Sequence, residues 1–171
     1  MPVYALTTEK TTIMEITEEE KEIIMKKFKY QPSDMKDFDP EEEQILGKYA
    51  KKQFNSDFIF ITHYPSKKRP FYTMDDPEDP EYTLSFDLLF RGLEITSGGQ
   101  RVHDYAEQVA KMEKLGMNPE EFATYLMLHK YGAPPHGGLG LGLERIVQNI
   151  LGLDNIKEAT AFPRDRDRIR P

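Results

Sequence analysis

The segment Gly137 to Arg145, which reads GGLGLGLER, combines residue types that can bind a nucleotide. Gly and Leu alternate at period two, which is typical of a strand, and the apolar residues that follow at helical spacing predict a helix. Glycines in a strand leave bare backbone on one face, against which a flat ligand can lie. Arg145 at the junction offers a guanidinium to a phosphate. The alternative, which the segment alone leaves open, is a glycine-rich strand inside a packed sheet.

A second group of reactive side chains lies in the segment Arg91 to Arg101, RGLEITSGGQR. Glu94 stands among small and apolar residues of a predicted central strand, where a carboxylate requires compensation. Glu94 and the Ser97 hydroxyl are hard oxygen ligands that suit a Mg²⁺ ion also held by substrate phosphates. The fork of Arg101 suits a carboxylate. Alternatively, Glu94 and Arg101 pair with each other, or with other residues of the sheet.

The two segments together predict one set of ligands. The first offers a platform for a base and an arginine for a phosphate. The second offers a carboxylate for Mg²⁺ and an arginine for a carboxylate. ATP, Mg²⁺ and a small amino acid would use all of these features.

The elements around these segments predict an α+β fold with a largely antiparallel sheet flanked by helices. The order of helices, strands, helices, strand and helix favours this class over a doubly wound parallel sheet. Capping residues and apolar spacing predict the individual elements. They are helices that begin near Thr17 and Pro40, strands at Phe58–Pro65 and Phe71–Met74, a β stretch at Tyr82–Arg101, helices at Tyr105–Leu115 and from Pro119 to Tyr131, and a final helix at Glu144–Leu151.

Composition excludes several classes of protein. The 171 residues are 38% hydrophobic and 31% charged, which is typical of a soluble globular chain. A net charge of -7 argues against a broad basic surface for nucleic acid, although a local basic patch stays possible. The absence of cysteine excludes disulfides and thiolate metal sites. No apolar run reaches the roughly 18 residues of a membrane span, and the first ten residues lack a secretory signal. We therefore expect a cytoplasmic protein.

Three segments, GLEITSGGQRVHD, PPHGGLGLGLERI and FPRDRDRIRP, resemble the C-terminal part of the catalytic domain of class II aminoacyl-tRNA synthetases. The chain is most similar to the archaeal-type aspartyl- and asparaginyl-tRNA synthetases, and the glycine strand with Glu144 and Arg145 matches their third signature motif. The resemblance runs from about Glu41 to Pro171. We therefore expect residues 41–171 to be the C-terminal part of the catalytic domain and residues 1–40 to be a separate N-terminal helical segment.

The resemblance also implies roles for individual residues. Glu94 is expected to bind Mg²⁺ and ATP, Ser97 to hold the metal beside the amino acid, and Arg101 to recognise the substrate side chain. The ATP site is expected to be lined by Gly142, Leu143, Glu144 and Arg145, with Arg145 at the phosphates. In this family the amino-acid carboxylate attacks the α-phosphorus of ATP, pyrophosphate leaves, and the aminoacyl group passes to the terminal adenosine of tRNA. The implied partners are thus ATP, aspartate or asparagine, tRNA and a second copy of the chain.

The chain departs from the family pattern before its middle. It has no recognisable anticodon-binding barrel and neither the first nor the second signature motif. No arginine precedes Arg69, so the arginine that the second motif supplies to the α-phosphate is missing. We therefore expect that the chain alone does not activate an amino acid. Three interpretations stay open: a truncated or partial aspartyl- or asparaginyl-tRNA synthetase, a free-standing paralogue that binds nucleotide or amino acid without ligase activity, and part of a paralogue that amidates aspartate to asparagine.

Overall fold

The computed structural model describes residues 11–14, 18–32, 38–167 and 169. Its strands are β1 (Thr11–Met14), β2 (Phe58–Thr62), β3 (Ser85–Phe90), β4 (Leu93–Arg101) and β5 (His136–Leu141). Its α-helices are α1 (Glu18–Lys27), α2 (Pro40–Phe54), α3 (Tyr105–Lys114), α4 (Ala123–Lys130) and α5 (Leu143–Leu151). Short 3-10 turns occupy Ser66–Lys68, Pro119–Phe122 and Ile156–Ala159. Thr17, the predicted cap of the first helix, lies outside the described residues.

The strands form one sheet in the order β1-β2-β3-β4-β5, and β1 pairs with β2 in parallel. β3 and β4 are joined by Arg91 and Gly92, whose φ angles are 52° and 81°. Two consecutive positive φ values define the turn that matches the twist of an antiparallel hairpin. The prediction of an α+β fold with a largely antiparallel sheet is confirmed.

Two predicted elements differ from the structure. The strand predicted at Phe71–Met74 is wrong: Thr73 N–H donates to the Pro70 carbonyl and closes a turn, and Thr73 makes only an isolated bridge to Arg101. The helix predicted from Pro119 begins as a 3-10 turn and becomes α-helical at Ala123. Proline there removes a backbone donor, which the first turn of a helix tolerates.

The chain divides into two compact units. The first comprises the described residues of Met1–Ile61, Asp87–Ser97 and Gly140–Pro171, and the second comprises Thr62–Phe86 and Gly98–Leu139. In the first unit, α1, α2 and the strands bury these apolar side chains: Ile24, Met25, Ile45, Leu46, Ala50, Ile59, Ile61, Leu89, Phe90 and Ile95. The ring of the half-buried Phe58 stacks on that of Phe90, with centroids 4.6 Å apart. This packing holds the first half of β4 in place.

The α2 helix is fixed at its start and in its middle. Asp39 caps it, because its side chain accepts from the Glu42 amide while the Glu42 carboxylate accepts from the Asp39 amide. Further along, α2 packs directly on the β3–β4 turn: a Cβ added to Gly47 would lie 2.4 Å from the Gly92 nitrogen. The helix can approach the turn this closely only because both positions are glycine.

In the second unit, Val102 just after β4, Met112 of α3 and Leu126 of α4 are buried. Phe71 lies among the rings of Phe122 and Tyr125, at 5.4 Å from each centroid. No helix of the described part of the chain is long and apolar enough to cross a bilayer. The predicted division into residues 1–40 and 41–171 stays a prediction.

Candidate functional site

Glu94, the predicted magnesium ligand, lies at the start of β4 and is half-buried. Its main chain is held by two side chains from two helices. Its N–H donates to Oε2 of Glu43 on α2 at 3.3 Å, and its carbonyl oxygen accepts from Nη1 of Arg145 on α5 at 2.7 Å. The bond from the charged Arg145 belongs to the stronger class of hydrogen bond, and the two bonds together hold this peptide from both sides.

Arg145 is placed by the junction between β5 and α5. Gly142 supplies no side-chain cap to α5, and its N–H donates instead to the Ile95 carbonyl of β4 at 2.8 Å. A Cβ at Gly142 would approach Cδ of Arg145 to 3.3 Å, so glycine leaves room for the arginine stem. The other predicted ATP-site residues, Leu143 and Glu144, are exposed.

Ser97 lies on β4 in the same unit as Glu94, and its hydroxyl donates to Oδ1 of Asp87 on β3. Asp87 is only 7% exposed, so this carboxylate is one of the buried acids of the first unit. The hairpin therefore carries two carboxylates and a hydroxyl, on Asp87, Glu94 and Ser97.

Glu43 adds a third carboxylate to this group. Its burial raises its pKa to about 7; the Glu94 N–H opposes that shift, the charges of Glu94 and Asp87 add to it, and the charge of Arg145 opposes it. A buried acid among like charges favours its neutral form. The charges of Asp87, Glu94 and Arg145 all act on the Glu43 carboxylate. The four side chains therefore form one electrostatic group.

Arg101 belongs to the second unit, where its side chain is enclosed by two surfaces. The guanidinium lies over the ring of Tyr72, 4.8 Å from its centroid. Its other neighbour is the bare backbone of Gly138: a Cβ there would be 2.9 Å from Nη2 and 3.0 Å from Nε. A planar guanidinium stacks well on an aromatic face, which orients its donors.

Sequence reasoning missed Asp87 and Glu43. The sequence pattern could have indicated Asp87, because this residue alternates with Ser85 and Leu89 on the buried side of β3, where an acid is uncommon. Glu43 had none, since it is the last of three consecutive glutamates at the start of α2. Within the described residues, no group of three or more His, Asp or Glu side chains has the arrangement of a complete metal site. A cation at Glu94 would therefore need the Ser97 hydroxyl and ligands from its substrate.

The geometry can be compared with known proteins. A family model described as tRNA synthetases class II (D, K and N) matches residues 4–166. The chain belongs to this family. The resemblance to class II synthetases of the aspartyl and asparaginyl type, predicted from the sequence motifs, is thus confirmed.

Among curated relatives, the aspartate–tRNA(Asp/Asn) ligase of Thermus thermophilus is 55% identical over 135 residues, which are 79% of this chain and 32% of the relative. The enzyme of the same name from Aeropyrum pernix is 49% identical over 150 residues, 88% of this chain and 34% of the relative. The chain thus spans about a third of the length of the curated relatives it matches.

Solved structures agree with this assignment. The aspartyl-tRNA synthetase from Entamoeba histolytica superimposes with a TM-score of 0.83 at 38% identity, over 93% of this chain and 33% of that one. The asparaginyl-tRNA synthetase from Pyrococcus horikoshii complexed with asparaginyl-adenylate gives 0.77 at 34% identity, over 90% of this chain and 35% of that one. The chain therefore has the fold of part of an aspartyl- or asparaginyl-tRNA synthetase.

Proposed function

We propose that this chain carries the magnesium and nucleotide half of the active site of an aspartyl- or asparaginyl-tRNA synthetase. The observation that supports this most strongly is the convergence of Arg145 with Glu94, Asp87 and Glu43 in one compact unit. A cation for phosphate and carboxylates for a metal are what a magnesium nucleotide requires.

Part of the acidic group would hold a divalent cation, with oxygens of the substrate as further ligands. Glu43 is a half-buried acid beside Glu94 and Asp87, and an added positive charge would offset the repulsion among the three carboxylates. Glu94 and Asp87, with the hydroxyl of Ser97, are the hard oxygen ligands that would hold Mg²⁺. When bound, Mg²⁺ supplies neutralisation of the charge on phosphate oxygens.

Arg145 would bind the phosphates directly. One of its nitrogens is engaged by the Glu94 carbonyl, but the side chain is 43% exposed, so other N–H groups of the fork can reach a ligand. The adjacent strand gives the base a surface: a Cβ added to Gly140 would meet no atom within 4 Å. A purine can lie against such bare backbone.

The amino acid and the tRNA complete the proposal. Arg101, stacked on Tyr72, presents a fork that can donate to the side-chain carboxylate of aspartate or to the amide oxygen of asparagine. In the reaction, an oxygen of the amino-acid α-carboxylate bonds to the α-phosphorus of ATP as the bond to pyrophosphate breaks. A hydroxyl of the tRNA then bonds to the acyl carbon of the adenylate, and AMP leaves. Assembly as a homodimer stays a prediction of the resemblance.

Calorimetry followed by an exchange assay tests the proposal. The chain is titrated with ATP in EDTA, then with ATP and Mg²⁺, and finally with aspartate or asparagine. We expect ATP binding that Mg²⁺ strengthens, without exchange of pyrophosphate into ATP, because the second signature motif is missing from this chain. A chain that shows no heat with ATP under either condition would refute the nucleotide site. Exchange by the chain alone would refute the expected inactivity and favour a complete enzyme.

A further inference from the structure

The main chain of Glu94 is held by a carboxylate on one side and by a guanidinium on the other. Glu43 accepts the Glu94 N–H at 3.3 Å, and Arg145 donates to the Glu94 carbonyl at 2.7 Å. The role of Arg145 at this peptide follows from its place in the proposed nucleotide site. Glu43 belongs to no sequence motif, yet it is the α2 residue that accepts the hydrogen bond from the Glu94 N–H.

The packing of α2 on the β3–β4 turn places Glu43 next to the Glu94 peptide. Gly47 of α2 packs on Gly92, and a Cβ at Gly92 would lie 2.7 Å from Cα of Gln44, the residue after Glu43. The same turn leads into β4, which begins at Leu93. The backbone of α2 therefore rests on the backbone of the turn two residues before Glu94, so a shift of α2 at Glu43 would displace the start of β4.

An ionised glutamate is energetically unfavourable at position 43. Its carboxylate is half-buried beside the acids Glu94 and Asp87, and burial with these charges disfavours its ionised form. Glu41, two positions earlier on α2, is exposed. Groups held at an unfavourable position in this way are often parts of functional sites.

We propose that Glu43 is a positioning residue for Glu94: its carboxylate fixes the Glu94 peptide from the α2 side and thereby sets where the Glu94 carboxylate meets the magnesium nucleotide. This inference rests on the proposed role of Glu94 in binding Mg²⁺. Glu43 acts through a hydrogen bond to a main-chain amide, so it needs an acceptor oxygen at this point and no contact with the ligand.

Two substitutions separate the hydrogen bond from the charge. Glu43→Gln keeps an acceptor oxygen at the same distance from the main chain but removes the charge. Glu43→Ala removes the acceptor. Glu41→Ala, on the same helical turn but exposed, is the matched control for loss of an acid from α2. Thermal unfolding of each variant establishes that it is folded before binding is measured.

The readout is the factor by which Mg²⁺ strengthens ATP binding, measured by calorimetry with Mg²⁺ and in EDTA. We expect Glu43→Ala to reduce this factor about tenfold, the size of one lost hydrogen bond, with little change in EDTA. Glu43→Gln should retain most of the factor, and Glu41→Ala all of it. Exchange of the Glu94 amide proton should be faster in Glu43→Ala than in Glu43→Gln.

Other outcomes overturn the proposal in distinguishable ways. A Glu43→Gln variant as weak as Glu43→Ala would show that charge matters and not positioning. An unchanged factor in Glu43→Ala would show that Glu94 needs no support from α2. If the unmodified chain binds ATP equally with and without Mg²⁺, the metal role of Glu94 itself fails, and this inference falls with it.

Discussion

Arg145 donates a 2.7 Å hydrogen bond from Nη1 to the carbonyl oxygen of Glu94, while the nearest carboxylate oxygen of Glu94 lies 3.9 Å from the same nitrogen. The closer contact is thus to the main chain and not between the two charges. This leaves the Glu94 carboxylate available to a cation and orients the guanidinium before any ligand arrives. A site whose side chains are already oriented loses less entropy on binding.

Replacing Arg145 with alanine should weaken ATP binding by about 1.5–3 kcal/mol, the usual size of a hydrogen bond to a charged group. Arg145→Lys keeps the charge but loses the planar fork, so its affinity for ATP should lie between those of the unmodified chain and Arg145→Ala. Titration calorimetry of the three proteins measures the effect. Arg166→Ala removes an exposed arginine of the C-terminal segment and serves as the control. An Arg145→Ala isotherm that matches the unmodified chain would contradict the assigned role.

Glu94→Gln should reduce ATP binding only when Mg²⁺ is present. The amide keeps the size of the side chain but is a poor ligand for a hard cation, whereas the main-chain contacts of residue 94 do not depend on its side chain. The comparison is between affinities in Mg²⁺ and in EDTA, with the exposed acid Glu78 changed to Gln as a control. Equal losses under the two conditions would rule out a metal-specific role for Glu94.

The local parts of this site could be predicted from the sequence because their signals are local. The strand and helix predicted around Gly137–Arg145 are confirmed as β5 and α5. The change from period two to helical spacing and the glycine at the junction lie within one short window. The strand predicted at Phe71–Met74 failed because its aromatic and β-branched residues favour a strand, whereas its carbonyl groups are bound by distant side chains. Gln108 of α3 donates to the Phe71 carbonyl, and Lys111 of α3 donates to the Thr73 carbonyl.

The contacts between distant residues could not be predicted in this way. Asp87 meets Ser97 only because β3 pairs with β4 in one particular register, and register is set by the two-residue turn and by the buried side. Glu43 reaches Glu94 across 51 positions in the chain, through a helix that packs on two glycines. No spacing rule connects these residues, so the acidic group became visible only in three dimensions.

Gly47→Ala should destabilise the chain by about 2 kcal/mol. The new Cβ would lie 2.4 Å from a backbone nitrogen, so the helix must move, and overpacking of this kind exceeds the gain of about 1 kcal/mol that alanine brings to a helix. Urea unfolding measures the change. Gly140→Ala is the matched control, because its Cβ would meet nothing within 4 Å. A more stable Gly47→Ala variant would mean that α2 does not rest on the hairpin turn.

Stability should fall in acid through the cap of α2. The Glu42 backbone N–H, the Tyr30 hydroxyl, the Glu41 backbone N–H and the charge of Lys21 lower the pKa of Asp39, against a smaller opposing effect of burial. An acid whose pKa is lower in the folded chain stabilises it above the unfolded-state pKa of roughly 4, and this contribution is lost as the pH falls through the folded value. Asp39→Asn keeps a good capping residue but cannot titrate. Urea unfolding should therefore show an advantage of the unmodified chain over Asp39→Asn at pH 6 that shrinks below about pH 4. If the difference in free energy of unfolding between the two proteins stays constant from pH 6 to below about pH 4, the folded chain does not lower the pKa of Asp39.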